Sequence, residues 1–189
     1  PAYREAVIDR SRRNVIRDKN QCCVIFWSLG NESGMGTNIE EAGRWVKQYD
    51  PTRLVHYESC HFQPEGHVKD ESMLDVESHM YASTRQIDEY FAAPGEKKPF
   101  IQCEFVHAMG NGPGDIEDYM QQIYKYDGFC GGFVWEWCDH ATYEGKAEDG
   151  REMYHYGGDA GEYPHDGNFC MDGLVFPDRR PHEGLYEWK

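Results

Sequence analysis

Phe100-Ile101-Gln102-Cys103-Glu104-Phe105-Val106-His107-Ala108-Met109-Gly110-Asn111 reads as a buried strand that carries charged residues into a turn. Phe100, Ile101 and Cys103 follow the breaker Pro99 as a short apolar run, the pattern of a buried strand. Glu104 and His107 come next, just ahead of Gly110 and Asn111. A carboxylate at the carboxyl end of a buried strand costs free energy unless it has partners or chemistry to perform. Residues 24–29, Val-Ile-Phe-Trp-Ser-Leu, repeat the layout and open into Gly30-Asn31-Glu32-Ser33-Gly34. Two buried strands, each leading to a glutamate, form the pattern of a cooperating carboxylate pair.

Working outward, strands alternate with amphipathic helices. Residues 3–20 read as a basic helix whose mixed charge suits a solvated face. Thr37 with Glu40 makes a capping-box signature, and Ile39, Ala42, Trp45, Val46 and Tyr49 then recur at helical spacing until Asp50-Pro51, with Trp45 read as core. Short strands follow at 54–57 and within 73–81, separated by a loop over 60–71. Ser83 with Gln86 caps a helix carrying Ile87, Tyr90 and Phe91, stopped by Ala93-Pro94-Gly95. A helix from about Asp115 places Ile116, Tyr119, Met120, Ile123 and Tyr124 on one face, and 131–137 is a last strand. Residues 139–189 show no period and read as long functional loops. Five strands and roughly four helices in alternation predict parallel βαβ units in one α/β domain over 1–189. No G-x-G-x-x-G or Walker motif follows a strand. Both a (β/α) barrel and a doubly wound sheet place chemistry at the strands' carboxyl ends. With 189 residues the chain is too short for a complete barrel, which takes about 250.

Composition narrows the partners. A formal net charge of -15 argues against nucleic acid and anionic membranes, because phosphate binding needs clustered Lys and Arg. Aromatics at 14% and charged residues at 28% mark a globular chain, and the many Trp and Tyr suit a neutral polar ligand. Seven cysteines, without C-x-x-C and several within apolar runs, fit free buried thiols in a reducing, cytoplasmic setting. No membrane span or signal-like segment is read. The chain opens without Met directly in helix-like sequence, as expected of a piece of a longer polypeptide.

Retaining glycoside hydrolysis needs two carboxyl groups about 5–5.5 Å apart, one giving a proton to the leaving oxygen and one attacking the anomeric carbon. Glu32 and Glu104, from different strand ends, could face each other across a barrel mouth, with Asn31 donating to a sugar hydroxyl. Strand-end glutamates also cap helices or pair with arginine, so spacing alone leaves both readings open.

Four motifs carry a resemblance: residues 27–34 (Trp-Ser-Leu-Gly-Asn-Glu-Ser-Gly), 103–111 (Cys-Glu-Phe-Val-His-Ala-Met-Gly-Asn), 131–137 (Gly-Gly-Phe-Val-Trp-Glu-Trp) and 169–176 (Phe-Cys-Met-Asp-Gly-Leu-Val-Phe). In this order they resemble the catalytic domain of bacterial lac-type β-galactosidases, in glycoside hydrolase family two. The resemblance implies a parallel (β/α)8 TIM-barrel type fold, held here as a partial barrel of about strands four to eight. It implies a retaining enzyme that cleaves terminal β-D-galactosides through a covalent galactosyl intermediate. Glu32 would be acid/base and Glu104 nucleophile. Asn31, Tyr81, His107, Trp135 and Asp172 would bind substrate. Glu32 would also ligate magnesium, and Phe169 (through its carbonyl) and Asp172 a sodium ion.

Two departures bear on this. The lac-type pattern has Asn where Asp172 stands, which adds a charge to the sodium site, and Tyr-Ala where Phe105-Val106 stand. The remaining magnesium ligands, a glutamate and a histidine, would lie upstream of Pro1. The resemblance also implies the remainder of the same polypeptide as a partner and a homo-oligomer at full length, with the 189 residues alone inactive. The alternatives are a glucuronidase-like β-glycosidase of the same family, expected to differ around the nucleophile, and a non-catalytic sugar-binding or assembly module. Elsewhere, His56, His61 and His67 lie in or beside a loop, but no cysteine spacing supports zinc there. Residues 166–172 lack the glycine position and closing glutamate of a calcium loop.

Overall fold

The computed structural model describes residues 2–188 and divides into two compact units. The first takes in Pro1–Met80, Pro94–Cys103 and Gly128–Cys130, and the second Tyr81–Ala93, Glu104–Asp127 and Gly131–Lys189.

In the first unit, α1 (Arg4–Asp18) precedes β1 (Phe26–Ser28), α2 (Thr37–Tyr49) and β2 (Leu54–His56). β1 and β2 pair in parallel, Phe26 beside Leu54 and Ser28 beside His56, so β1-α2-β2 is the expected βαβ unit. The expected helix faces explain the packing. Ala42 and Val46 of α2 are buried, and Val46 packs with Trp27, Leu29, Val55, Tyr57, Met73 and Leu74. A Cβ on Gly43 would meet Met73 Cγ at 2.5 Å and Leu29 Cδ1 at 3.0 Å, which is why this helix can lie so close to the strand end. Trp45 is half-buried, packed against that core and stacked on Tyr49 at 4.9 Å under the Arg12 guanidinium. Asp50 ends α2. Its carboxylate accepts from Trp27 Nε1 at 2.9 Å, from the Thr52 hydroxyl at 2.6 Å and from Arg53 at 2.6 Å. On α1, Arg13 pairs with Asp9 at 2.8 Å and Arg17 with Asp18 at 2.6 Å, as on a solvated face.

The Thr37/Glu40 capping box does not form. Gly36 is the N-cap, and Glu40 is 5% exposed, holding His67 Nε2 at 2.7 Å and the Asp70 N–H at 3.0 Å instead. These partly buried, long-range partners outcompete the local cap. The Ser83/Gln86 box does form on α3 (Thr84–Ala92): the Gln86 N–H donates to Ser83 Oγ and the Ser83 N–H to Gln86 Oε1.

After a 3₁₀ turn (Glu58–His61) come β3 (Glu77–Met80), β4 (Phe100–Phe105) and β5 (Phe129–Val134), in the sheet order β3-β4-β5. β4 contributes Phe100–Cys103 to the first unit and its last two residues, Glu104 and Phe105, to the second. Within the second unit, α3 packs on α4 (Ile116–Lys125) through Phe91 stacked on Tyr126 at 4.3 Å and Lys125 bonded to Asp88 at 2.7 Å. Ile116 is buried and Tyr119 and Met120 half-buried, but Tyr124 is 76% exposed and falls off the expected face.

The segment beyond Asp139 is not loop throughout. β6 (Thr142–Lys146) and β7 (Glu152–His155) form an antiparallel hairpin with Tyr143 opposite Tyr154, closed by Asp149-Gly150, and α5 (Glu183–Glu187) follows. Both hairpin faces are largely solvated, so no apolar alternation marks it. All seven cysteines are free, but only Cys60 is buried, its thiol pushed up to about 12 by burial; Cys22, Cys23 and Cys130 are exposed, against the expectation of buried thiols. No helix among the described residues is long and apolar enough to cross a membrane.

Candidate active site

In the first unit, β1 gives way to a loop carrying Asn31 and Glu32. The Leu29 N–H still bonds the His56 carbonyl at 3.0 Å, after which the chain turns. Glu32 sits at φ 49°, a left-handed conformation that costs free energy in a residue with a Cβ. A buried acid holds that turn: Glu58, 4% exposed, accepts the Glu32 N–H at 2.6 Å and also the Ser59 hydroxyl. Tyr57 donates to the Gly34 carbonyl at 2.7 Å and Met35 N–H to that of Phe62 at 2.5 Å, so the 57–62 segment latches the loop at three points. Asn31 and Glu32 are both exposed. Beneath them His56 ties Ser28 Oγ at 3.0 Å to Ser78 Oγ at 2.6 Å, and burial holds its imidazole below the usual histidine range although Glu58 pulls the other way.

The second unit gathers six of the residues singled out in the sequence. Tyr81, also left-handed at φ 55°, donates its N–H to the Glu104 carbonyl and its hydroxyl to Glu104 Oε2, both at 2.9 Å. Val106, at φ 45°, bends the chain out of β4, and Ala108 N–H then bonds the Trp135 carbonyl at 2.8 Å. That bend lifts His107 into a position 5.9 Å from the Tyr81 ring and 5.6 Å from the Phe169 ring, centroid to centroid. His107 Nδ1 accepts the Met109 N–H at 3.3 Å, which leaves Nε2 the proton-bearing nitrogen, 3.9 Å from Asp172 Oδ2. Trp135 Nε1 donates to the same oxygen at 3.1 Å while its ring stays 36% exposed. The result is a half-open patch with a carboxylate, an imidazole N–H, a phenol and an indole face.

One member has no precedent in the sequence reading. Glu136, joined to Trp135 by a cis peptide, is pushed up to about 7 by burial and by the neighbouring Asp172 carboxyl, with His140 at 3.3 Å opposing the rise. Asp172 is 1% exposed, and its Oδ1 is a buried oxygen without a donor. Two acids so close need a proton or a cation between them.

The sequence matches the family model of Glycosyl hydrolases family 2, TIM barrel domain, over residues 1–189. The chain belongs to glycosyl hydrolase family 2. Among curated relatives, the beta-galactosidase of Actinobacillus pleuropneumoniae is 54% identical over 189 residues and that of Staphylococcus xylosus 48% over 188. The chain spans 18% and 19% of those relatives' lengths, and 100% and 99% of it is covered. Among solved structures, a beta-glucuronidase of Ruminococcus gnavus with uronic isofagomine bound superposes at TM-score 0.65 and 19% identity, over 98% of this chain and 34% of that one. The Lactobacillus rhamnosus beta-glucuronidase gives 0.64 at 18% identity, over 97% and 34%. These likenesses establish the family 2 barrel fold.

Family membership brings metals into question. For sodium, the donorless Asp172 Oδ1 beside a second acid is what a monovalent cation would satisfy, so Asp172 fits that role. For magnesium, Glu32 is an exposed carboxylate that could supply one oxygen of the octahedral set the ion demands.

The sequence reading missed Glu58 and Glu136. Glu136 carries the signal used for Glu104, an acid at the end of an apolar strand run. Glu58 carries a weaker form of it, standing directly after the short strand read at 54–57.

Proposed function

We propose that this chain supplies the catalytic face of a retaining β-galactosidase, as part of a longer polypeptide in which it forms about strands four to eight of the barrel. The observation that carries the reading is the Glu104 carboxylate held by the Tyr81 hydroxyl on a patch that also presents His107 and Trp135. Glu104 is the nucleophile: one of its oxygens bonds to the anomeric carbon as the glycosidic C–O bond breaks. Glu32 gives its proton to the departing oxygen, then takes one from the water that displaces Glu104 from the galactosyl ester. Tyr81 fixes the orientation of Glu104. The His107 Nε2–H and Asn31 donate to sugar hydroxyls, and Trp135 supplies a flat face for the pyranose C–H groups. Asp172 and the Phe169 carbonyl would hold a sodium ion, which adds a positive ligand for a sugar oxygen. The step sequence uses no magnesium.

A galactoside is favoured over a glucuronide on two grounds. The relatives at 40–54% identity are named beta-galactosidases, and the glucuronidase likeness rests on 18–19% identity. Homo-oligomerisation and a cytoplasmic location belong to the same reading of the full-length protein, and 1–189 remains one part-barrel domain in it. Proton NMR of the first-formed sugar from nitrophenyl β-galactoside, with the full-length protein, is expected to show the β anomer; α anomer, or turnover of the β-glucuronide alone, contradicts the proposal. The 189 residues by themselves are expected to show little or no turnover, with or without magnesium. Robust turnover would mean the missing strands are dispensable.

A further inference from the structure

We propose that His61, Glu77 and His79 form a binding site for a borderline divalent ion of the zinc class, using none of the residues given catalytic roles above. Residues two apart on a strand share a face, so β3 presents Glu77 and His79 together while Ser78 turns the other way to His56. His61 arrives from the end of the 3₁₀ turn. The three potential ligand atoms lie within 4.8 Å of one another. Glu77 Oε1 is 2.9 Å from His79 Nε2 and 3.5 Å from His61 Nε2. Zinc with bonds of about 2.0–2.1 Å puts tetrahedral ligands about 3.3 Å apart, so these two separations bracket the required edge.

Chemistry selects the ion. Two imidazoles with one carboxylate are a zinc set that leaves a fourth position for water. Imidazole nitrogen is a poor ligand for magnesium or calcium, which separates this site from any all-oxygen site in the protein. The rings are also prearranged. His79 stacks on Phe100 at 5.2 Å and 19°, Phe100 is locked edge-on by Phe129 at 5.3 Å, and the two imidazoles lie 4.3 Å apart. In the ion-free arrangement His61 Nε2 bonds the Ser78 carbonyl at 3.0 Å and His79 Nε2 the Glu77 carboxylate. An ion takes over both nitrogen lone pairs once each ring carries its proton on Nδ1. It then cross-links the 3₁₀ turn to β3, and that turn is the one whose Glu58 holds the Glu32 N–H.

The test uses full-length protein stripped with chelator, then dialysed against buffered zinc in excess magnesium to occupy oxygen sites. Wild type is expected to retain one more zinc per chain than His79→Ala, and His61→Gln to bind that zinc at least tenfold more weakly. Cobalt in place of zinc should give visible absorption of tetrahedral intensity that both variants lose. If His79→Ala fails to fold, His61→Gln, at a partly exposed ring, carries the comparison. Equal zinc content and equal cobalt spectra in wild type and His61→Gln would overturn the site, whatever the outcome for galactoside hydrolysis.

Discussion

The two strand-end glutamates are held in opposite ways. Glu104 is still within β4 and its side chain is clamped, by the Tyr81 hydroxyl at 2.9 Å. Glu32 lies in an exposed loop beyond β1, and there the backbone is clamped, through its N–H to the buried Glu58 at 2.6 Å. A nucleophile must present one oxygen along a fixed line, which favours a strand position and a side-chain partner. An acid that later serves as base must meet first a leaving oxygen and then a water, and a pinned backbone with an unclamped carboxyl suits that double duty. Two carboxylates in different settings can thus take different roles.

Substitutions break or sharpen this contrast. The largest effect is expected from Glu104→Gln, a fall in kcat of about 10⁴-fold or more on nitrophenyl β-galactoside, because no other group replaces the nucleophile. Glu32→Gln should cost about 10²–10⁴-fold on a galactoside with a poor leaving group and much less on a nitrophenyl one, which needs little proton donation. Equal losses on both substrates would erase the distinction between the two acids. Next comes the anchor of β1, where Asp50 holds Trp27. Asp50→Asn is expected to lower stability by about 2–3 kcal/mol in urea unfolding at pH 7, since it weakens a nearly buried network. Bonds from Thr52, Trp27 and Arg53 hold this carboxyl well below its usual range against the upward pull of burial. Its contribution is therefore present above the unfolded value near 4 and is lost as pH falls below it, and the Asn variant should show a flatter acid limb. Smallest, Tyr81→Phe removes one hydrogen bond and should lower kcat roughly tenfold with KM little changed.

The parts of this fold legible in the sequence are those where local chemistry had no rival. The α2 face, the Asp50-Pro51 stop and the Ser83 cap each formed from residues a few positions apart. Thr37 fails as a cap because Glu40 finds partners 27 and 30 residues away, which no local pattern records. The β6-β7 hairpin escaped because its faces are solvated, although Asp149-Gly150 marked its turn. Of the candidate site, Glu104 and His107 are marked by the apolar strand run that leads into them, whereas Trp135 and Asp172 enter through motif resemblance alone. His79 was overlooked and His61 set aside together with His56 and His67, because cysteine spacing was the only zinc signal sought. His56 and His67 instead serve Ser28, Ser78 and Glu40.

The most direct measurement is covalent trapping. A 2-deoxy-2-fluoro-β-galactoside with a dinitrophenyl leaving group slows breakdown of a glycosyl ester, so intact mass and peptide mapping reveal which acid carries the sugar. The full-length protein should gain one fluorogalactosyl group, on the peptide containing Glu104. A label on Glu32, or steady turnover with no label, would contradict the assignment.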